Sequence, residues 1–196
     1  MNRKKSGTVR IIGGRWRGRR LPVPDLPGLR PSGDRSRETL FNWLAPYIRG
    51  ARCADLFAGS GVLGFEAVSR GAASVVMIEK VASAARSLTN NLEMLQTSDE
   101  DRDVRILNMD ALVWLETCEP QSLDLVFVDP PFGSGLEKRS LELLADNECL
   151  AEGALVYLET ARNSGDFIPG PGWETVKEKS VGDVQMRLLK KKLKLV

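Results

Sequence analysis

The chain has 196 residues, a formal net charge of +2 and no histidine; that length suits one domain whose core needs no disulfide or metal staple. The missing imidazole excludes Ser-His-Asp and Cys-His nucleophilic sites and zinc sites that need histidine, so no metal is expected and any chemistry must run on carboxylates, hydroxyls, backbone groups or a bound cofactor. No run approaches the length of a membrane span, no signal peptide is discernible, and Cys53, Cys118 and Cys149 are scattered without paired spacing; these features predict a cytoplasmic chain with reduced, buried cysteines and no membrane partner.

Charge is uneven. Residues 1–37 hold eleven basic side chains against Asp25 and Asp34, a net of +9, which leaves −7 for the remainder. Arginine dominates this segment, and its planar fork suits phosphate. Trp16 lies inside the run GGRWRGRR. An aromatic among arginines predicts a nucleic-acid surface built from Arg10, Arg15, Trp16, Arg17, Arg19, Arg20, Arg30, Arg35 and Arg37. The alternative is a solvated tail.

In chain order, Met1 to Gly7 reads as unstructured. The runs TVRIIGG and RGRRLPVP read as two short strands joined through GGRWRG, and LPGLRPSG as a loop. DRSRETLFNWLAPYI reads as a helix with Leu40, Trp43, Leu44 and Tyr47 on one face and Pro46 near its end. From residue 51 strands alternate with helices, which places a boundary between an N-terminal extension (1–50) and a main domain (51–196). The strands are RCADLFA, SVVMIEK, DVRILNM, LDLVFVD and GALVYLE; the helices are Val62–Arg70, Ala82–Leu95, Ala111–Thr117 and Leu136–Asp146. Such alternation predicts an α/β fold, a mostly parallel sheet with helices on both faces. TVKEKSVGDVQMRLLKKK predicts an antiparallel hairpin turning near Gly182-Asp183, which brings the sheet to seven strands.

Two motifs carry the chemistry. Gly59-Ser60-Gly61-Val62-Leu63-Gly64 is a glycine turn between a strand and a helix, where the backbone approaches a ligand closely. Asp55 precedes it at the strand end, and a carboxylate there opposes a pyrophosphate but suits an ammonium or sulfonium, as in S-adenosylmethionine. Glu79, ending the next strand, suits ribose hydroxyls, and Asp110, ending the third, suits the adenine amine. Phe57, Ser60, Lys80 and Ala111 flank these positions and complete the predicted cofactor set with Gly59 and Gly61. Helix capping by these acids is the structural alternative.

The second motif is Asp129-Pro130-Pro131-Phe132, at the end of the fourth strand. The lone pair of an exocyclic base amine is delocalised into its ring. Two fixed acceptors for its N–H groups free that lone pair, and the Asp129 carboxylate and the Pro130 carbonyl are such acceptors. Tandem prolines hold them rigidly and add no competing N–H. Phe132 offers a face for a base taken out of its helix or loop.

The sequences RIIGGRWRGRRL, RPSGDRSRETLFNWL, DLFAGSGVLGFEAVSRGA and DLVFVDPPFGSG together resemble the RsmD family of class I methyltransferases, over residues 8–160. The resemblance implies a Rossmann-like methyltransferase fold, S-adenosylmethionine as cofactor, and methylation of the N2 amine of one guanine, position 966, in 16S ribosomal RNA. It further implies a monomer acting on the small ribosomal subunit or an assembly intermediate, and closure of Arg30, Asp34, Arg37 and Glu38 over the site. A DNA or RNA adenine-N6 methyltransferase would use similar clamp chemistry. A non-catalytic RNA-binding protein would not need Asp55, Glu79 and Asp129, and a nicotinamide oxidoreductase would not need the Asp-Pro-Pro-Phe clamp.

Overall fold

The structure, a computed structural model, describes residues 7–23, 33–95, 103–162 and 169–192. Residues 1–6 and 24–32 lie outside the described residues, and with them Arg30 and most of the expected LPGLRPSG loop.

The element order is β1 (Gly7–Arg10), β2 (Arg20–Val23), α1 (Asp34–Leu44), β3 (Arg52–Asp55), α2 (Val62–Ser69), β4 (Ser74–Ile78), α3 (Ala82–Leu95), β5 (Asp103–Leu107), α4 (Ala111–Glu116), β6 (Leu123–Val128), α5 (Leu136–Asp146), β7 (Leu150–Ala161), β8 (Trp173–Val181) and β9 (Val184–Lys191). β1 and β2 form a separate antiparallel hairpin, and the other seven strands form one sheet in the order β5-β4-β3-β6-β7-β9-β8. β3 to β7 run parallel; β9 is antiparallel to both β7 and β8. This is the predicted α/β architecture.

The two-residue alternation of each strand divides the core. Cys53, Met77, Phe127 and Tyr157 point to the layer that holds Leu40, Phe41, Phe65 and Leu88 of α1, α2 and α3. Ala54, Ile78, Val128 and Leu158 point to the layer of Leu115, Leu141 and Leu144 from α4 and α5. Phe127 meets both Phe41 (ring centroids 6.1 Å apart) and Tyr157 (6.4 Å).

Three expectations are corrected. The helix expected over residues 34–48 ends at Leu44, since Pro46 cannot continue the ladder. Tyr47 in the following turn is therefore exposed, and Phe41 and Ile48 join Leu40 and Leu44 in the core instead. The cysteines are not all buried: Cys118, after α4, is half-buried with its sulfur 3.4 Å from the Ser122 hydroxyl, and its interaction with Cys149, before β7, holds the Cys118 thiol down at about 7 and pushes Cys149 up. Both are free thiols. Third, the basic N-terminal segment is no free arm where it is described. Val9, Ile11, Trp16, Leu21 and Val23 belong to the same apolar cluster as Phe41 and Phe65.

A buried carboxylate pins this segment down. Glu66, inside α2 and without solvent exposure, accepts hydrogen bonds from the backbone N–H of Ile12 and of Gly13 (3.3 Å) and from the guanidinium groups of Arg37 (3.2 Å) and Arg70 (3.0 Å). Arg37, 1% exposed, also donates to the Arg10 carbonyl (2.8 Å) and pairs with Asp34. Hairpin, α1 and α2 thus meet on one charged group. Glu66→Ala would remove the buried partner of Arg37, leaving only the exposed Asp34, and would strip the acceptor from the Ile12 and Gly13 N–H groups and Arg70, so we expect a loss of about 3–5 kcal/mol, measured by urea denaturation. A loss below about 1 kcal/mol, the scale of an exposed pair, would contradict this role.

Candidate active site

β3 lies between β4 and β6 in the sheet, so the chain leaves it in one direction through β4 and β5 and returns on its other side as β6. Open α/β sheets bind ligands in the crevice at the strand C-terminal ends where the order reverses in this way. A cavity of about 690 Å³ opens there, a volume in the range of small-molecule sites. Of the predicted cofactor residues, Asp55, Phe57, Gly59, Ser60, Glu79, Lys80, Asp110 and Ala111 line it, as do Asp129, Pro130, Pro131 and Phe132. Gly61 stands behind this wall as the N-cap of α2, at φ 77°; an added Cβ would lie 2.4 Å from Leu88 and 2.5 Å from Phe65.

Asp55 is 1% exposed, and its carboxylate accepts from the Gly64 N–H at 3.0 Å. Burial pushes its pKa up to about 7, against the opposing pull of the Gly64 and Phe57 N–H donors. Gly64 is required for this approach: a Cβ there would sit 2.6 Å from the Met77 sulfur and 3.3 Å from the Asp55 carboxylate. Glu79 accepts from the N–H of Gly59 (2.9 Å) and of Val81 (2.7 Å), tying the glycine turn to the loop after β4. Asp110 caps α4 through Leu112 N–H (2.8 Å) and pairs with Lys80 (3.0 Å). Its hydrogen bond from Lys80 holds its carboxyl below the usual range.

At the end of β6, Asp129 is half-buried and Pro130 buried, while Pro131 and Phe132 are exposed. The Pro131 carbonyl accepts from Ser134 N–H (3.2 Å), closing a turn that leaves the Phe132 ring 51% exposed at the cavity. A wall not foreseen comes from Glu159 on β7 and from the β8–β9 turn, Val181 to Val184. Glu159 had a signal in the sequence, since it ends GALVYLE as Asp129 ends LDLVFVD. The direction of the β8–β9 turn had none.

The predicted nucleic-acid residues divide. Arg17 and Arg20 are exposed, and Arg35 is exposed and lines the cavity. Arg10 is exposed and pairs with Asp34 at 3.3 Å. Arg15 lies over the Trp16 ring at 4.5 Å, and Arg19 donates to the Met94 and Leu95 carbonyls at the end of α3. Trp16 itself is 6% exposed, edge-on to Phe65, so its ring is core rather than a stacking platform. Arg37 points to Glu66 rather than over the site, while Glu38 is exposed. α1 reaches the cavity through Gly33, Arg35 and Ser36 instead.

Electrostatics decides which cofactor these walls fit. Asp55, Glu79, Asp110, Asp129, Glu159 and Asp183 line the cavity against Arg35 and Lys80, and Lys80 is engaged by Asp110. A pyrophosphate would meet this excess of carboxylates unfavourably, whereas a cofactor that carries ammonium and sulfonium charge is attracted by it.

Comparison with known proteins agrees with the fold. The family model described as Conserved hypothetical protein 95 matches residues 9–190. The chain is 47% identical to Ribosomal RNA small subunit methyltransferase D of Escherichia coli K12 over 95% of this chain and 92% of that protein. It is 46% identical to the protein of the same name from Haemophilus influenzae, over 93% of each. The solved structure of the Escherichia coli methyltransferase candidate yhhF superposes with a TM-score of 0.83 at 44% identity, covering 94% of this chain and 98% of that one.

Asp55 has a consequence for stability. In the unfolded chain it ionises near pH 4, but in the folded chain it holds its proton up to about 7. Between those values the folded state binds the extra proton, so this group weakens the fold as pH rises, fully so above about 7. Asp55→Asn keeps an acceptor for Gly64 without the charge. Its melting temperature should therefore gain on the wild type from about pH 5 to about pH 8, without added cofactor; a pH-independent offset would contradict this.

Proposed function

Because the chain belongs to the family described as Conserved hypothetical protein 95, the RsmD family of its sequence resemblance, we propose that it transfers a methyl group from S-adenosylmethionine to the exocyclic N2 amine of guanine 966 of 16S ribosomal RNA. The observation that carries the reading is the meeting, in one cavity at the sheet's switch point, of the acid-lined glycine turn and the Asp129-Pro130-Pro131-Phe132 clamp. The substrate is the small ribosomal subunit or an assembly intermediate, the enzyme acts as a monomer, and its compartment is the cytoplasm. Among the described residues no helix is long and apolar enough to cross a membrane.

Asp55, Gly59, Ser60 and Gly61 would hold the methionine portion of the cofactor, Glu79 the ribose and Asp110 the adenine amine, with Phe57, Lys80 and Ala111 alongside. When bound, S-adenosylmethionine supplies an electrophilic methyl group on a sulfonium. Asp129 and the Pro130 carbonyl accept the amine N–H groups and turn the nitrogen lone pair toward the reaction. Such fixed orientation accounts for much of the acceleration, because it removes the entropic cost of alignment from the reacting step. Phe132, exposed at the cavity, stacks on the base. Arg10, Arg15, Arg17, Arg20 and Arg35 grip phosphates around the entrance; Trp16 and Arg37, being core residues, do not.

The protein and labelled S-adenosylmethionine, incubated with unmodified small subunits, free 16S rRNA and DNA, should yield N2-methylguanosine from ribosomal RNA by mass spectrometry of the digested nucleosides. N6-methyladenine, or no product, would overturn the assignment. Asp129→Ala should lower kcat by at least about 100-fold while calorimetry shows unchanged affinity for S-adenosylhomocysteine; equal loss of both would refute the clamp. RNA affinity should fall steeply with salt as phosphate contacts release counterions, and a flat response would remove the arginines from the interface.

A further inference from the structure

The clamp orients an amine, but adenine and guanine both offer one. Their Watson–Crick edges differ beside it: guanine carries an N1–H donor next to its N2 amine, whereas adenine carries a bare N1 acceptor next to its N6 amine. An extruded base is read at that edge. A site that orients the amine of guanine and rejects adenine needs a second acceptor adjacent to the first.

We propose that Glu159 is that acceptor and reads guanine N1–H while Asp129 orients the N2 amine; the inference rests on the function proposed above. Val128 on β6 pairs in parallel with Leu158 on β7, so Asp129 and Glu159 are the next registered positions, on strands about 4.8 Å apart. Both follow by two residues the pair Phe127↔Tyr157 and so share its face of the sheet. Both line the cavity.

The surroundings of Glu159 support the role. It is 5% exposed, and the hydroxyl of Tyr157, 1% exposed beneath it, donates to one carboxylate oxygen at 2.6 Å. An ionised carboxylate accepts about four hydrogen bonds, so capacity remains on the side that meets the cavity. Burial pushes the Glu159 pKa up, and the Tyr157 hydrogen bond opposes this. A further N–H donor would act in the same direction as Tyr157 and favour the ionised form. A bare N1 would instead set a lone pair against the carboxylate and leave both without a donor, the costly arrangement for buried polar groups. Tyr157 is thus the positioning residue and Glu159 the base-reading one.

The test uses the full chain and small subunits reconstituted with either guanine or 2,6-diaminopurine at the acceptor position. Diaminopurine keeps the N2 amine but replaces N1–H by a bare N1 and O6 by an amine, so the change of ratio in Glu159→Gln is what isolates the N1 contact. The wild type should favour guanine by at least about 100-fold in kcat/KM. Glu159→Gln, whose amide also offers an N–H to a bare N1, should narrow that ratio or reverse it, with affinity for S-adenosylhomocysteine retained as a control for folding. Tyr157→Phe, which keeps the acid but removes its anchor, should narrow the ratio less. Equal wild-type activity on the two acceptors would overturn the inference and leave the guanine assignment standing, as would an unchanged ratio in Glu159→Gln with both rates lowered. Methylation of neither acceptor by the wild type would overturn the parent assignment and this inference with it.

Discussion

A carboxylate at the centre of a helix, shielded from water, is tolerable only when donors surround it, and Glu66 has four: two backbone N–H groups from the segment after β1 and two guanidinium groups. Those donors come from three parts of the chain, so folding one part without the others leaves charge stranded in the core. Apolar burial alone would permit several placements of a short hairpin against a helical layer. The charged contact selects one, because hydrogen bonds have direction and a buried unpaired guanidinium is costly. The Arg10 carbonyl, the Asp34 carboxylate and the start of α1 are placed by the same group through Arg37.

That placement matters because α1 supplies Gly33, Arg35 and Ser36 to one wall of the cavity. The opposite contributions come from strand ends. Asp55, Glu79, Asp129 and Glu159 all follow, by two residues, strand positions facing the α1–α3 layer: Cys53, Met77, Phe127 and Tyr157. A parallel sheet therefore gathers carboxylates from four separate strands by register alone. Burial raises the cost of ionising Asp55 and Glu159, and at Asp55 the nearby Glu79 charge adds to it; a ligand that carries positive charge or N–H donors relieves that cost.

The charge distribution then has two levels. An acid-lined interior suits a cationic cofactor and the donor-rich edge of a base, while the exposed Arg10, Arg17 and Arg20 present positive charge outside its lining. On the proposed function, such a layout would draw backbone phosphates to the exposed arginines while the acid-lined interior admits only the extruded base.

Much of this was legible in the residues because it depends on local periodicity and backbone chemistry. α3 and α5 occupy Ala82–Leu95 and Leu136–Asp146 as the pattern predicts, and the C-terminal hairpin turns at Gly182-Asp183. The glycine turn and the Asp-Pro-Pro-Phe strand end restrict their own backbones, so their place at the cavity can be read from a few consecutive letters. What tertiary structure alone decided was which polar or aromatic groups are buried and against what. Trp16 reads as an exposed aromatic among arginines until Phe65 covers it. Arg37 reads as one more surface cation until Glu66, 29 residues away, takes it inside. Cys118 and Cys149 read as unrelated until the turns after α4 and before β7 couple their titration. Glu159 reads as a strand terminus until the β6–β7 register sets it beside Asp129. Periodicity reports which face a residue occupies, but the stability of a charge or a ring on that face depends on partners distant in sequence, which only the assembled sheet and its helices supply.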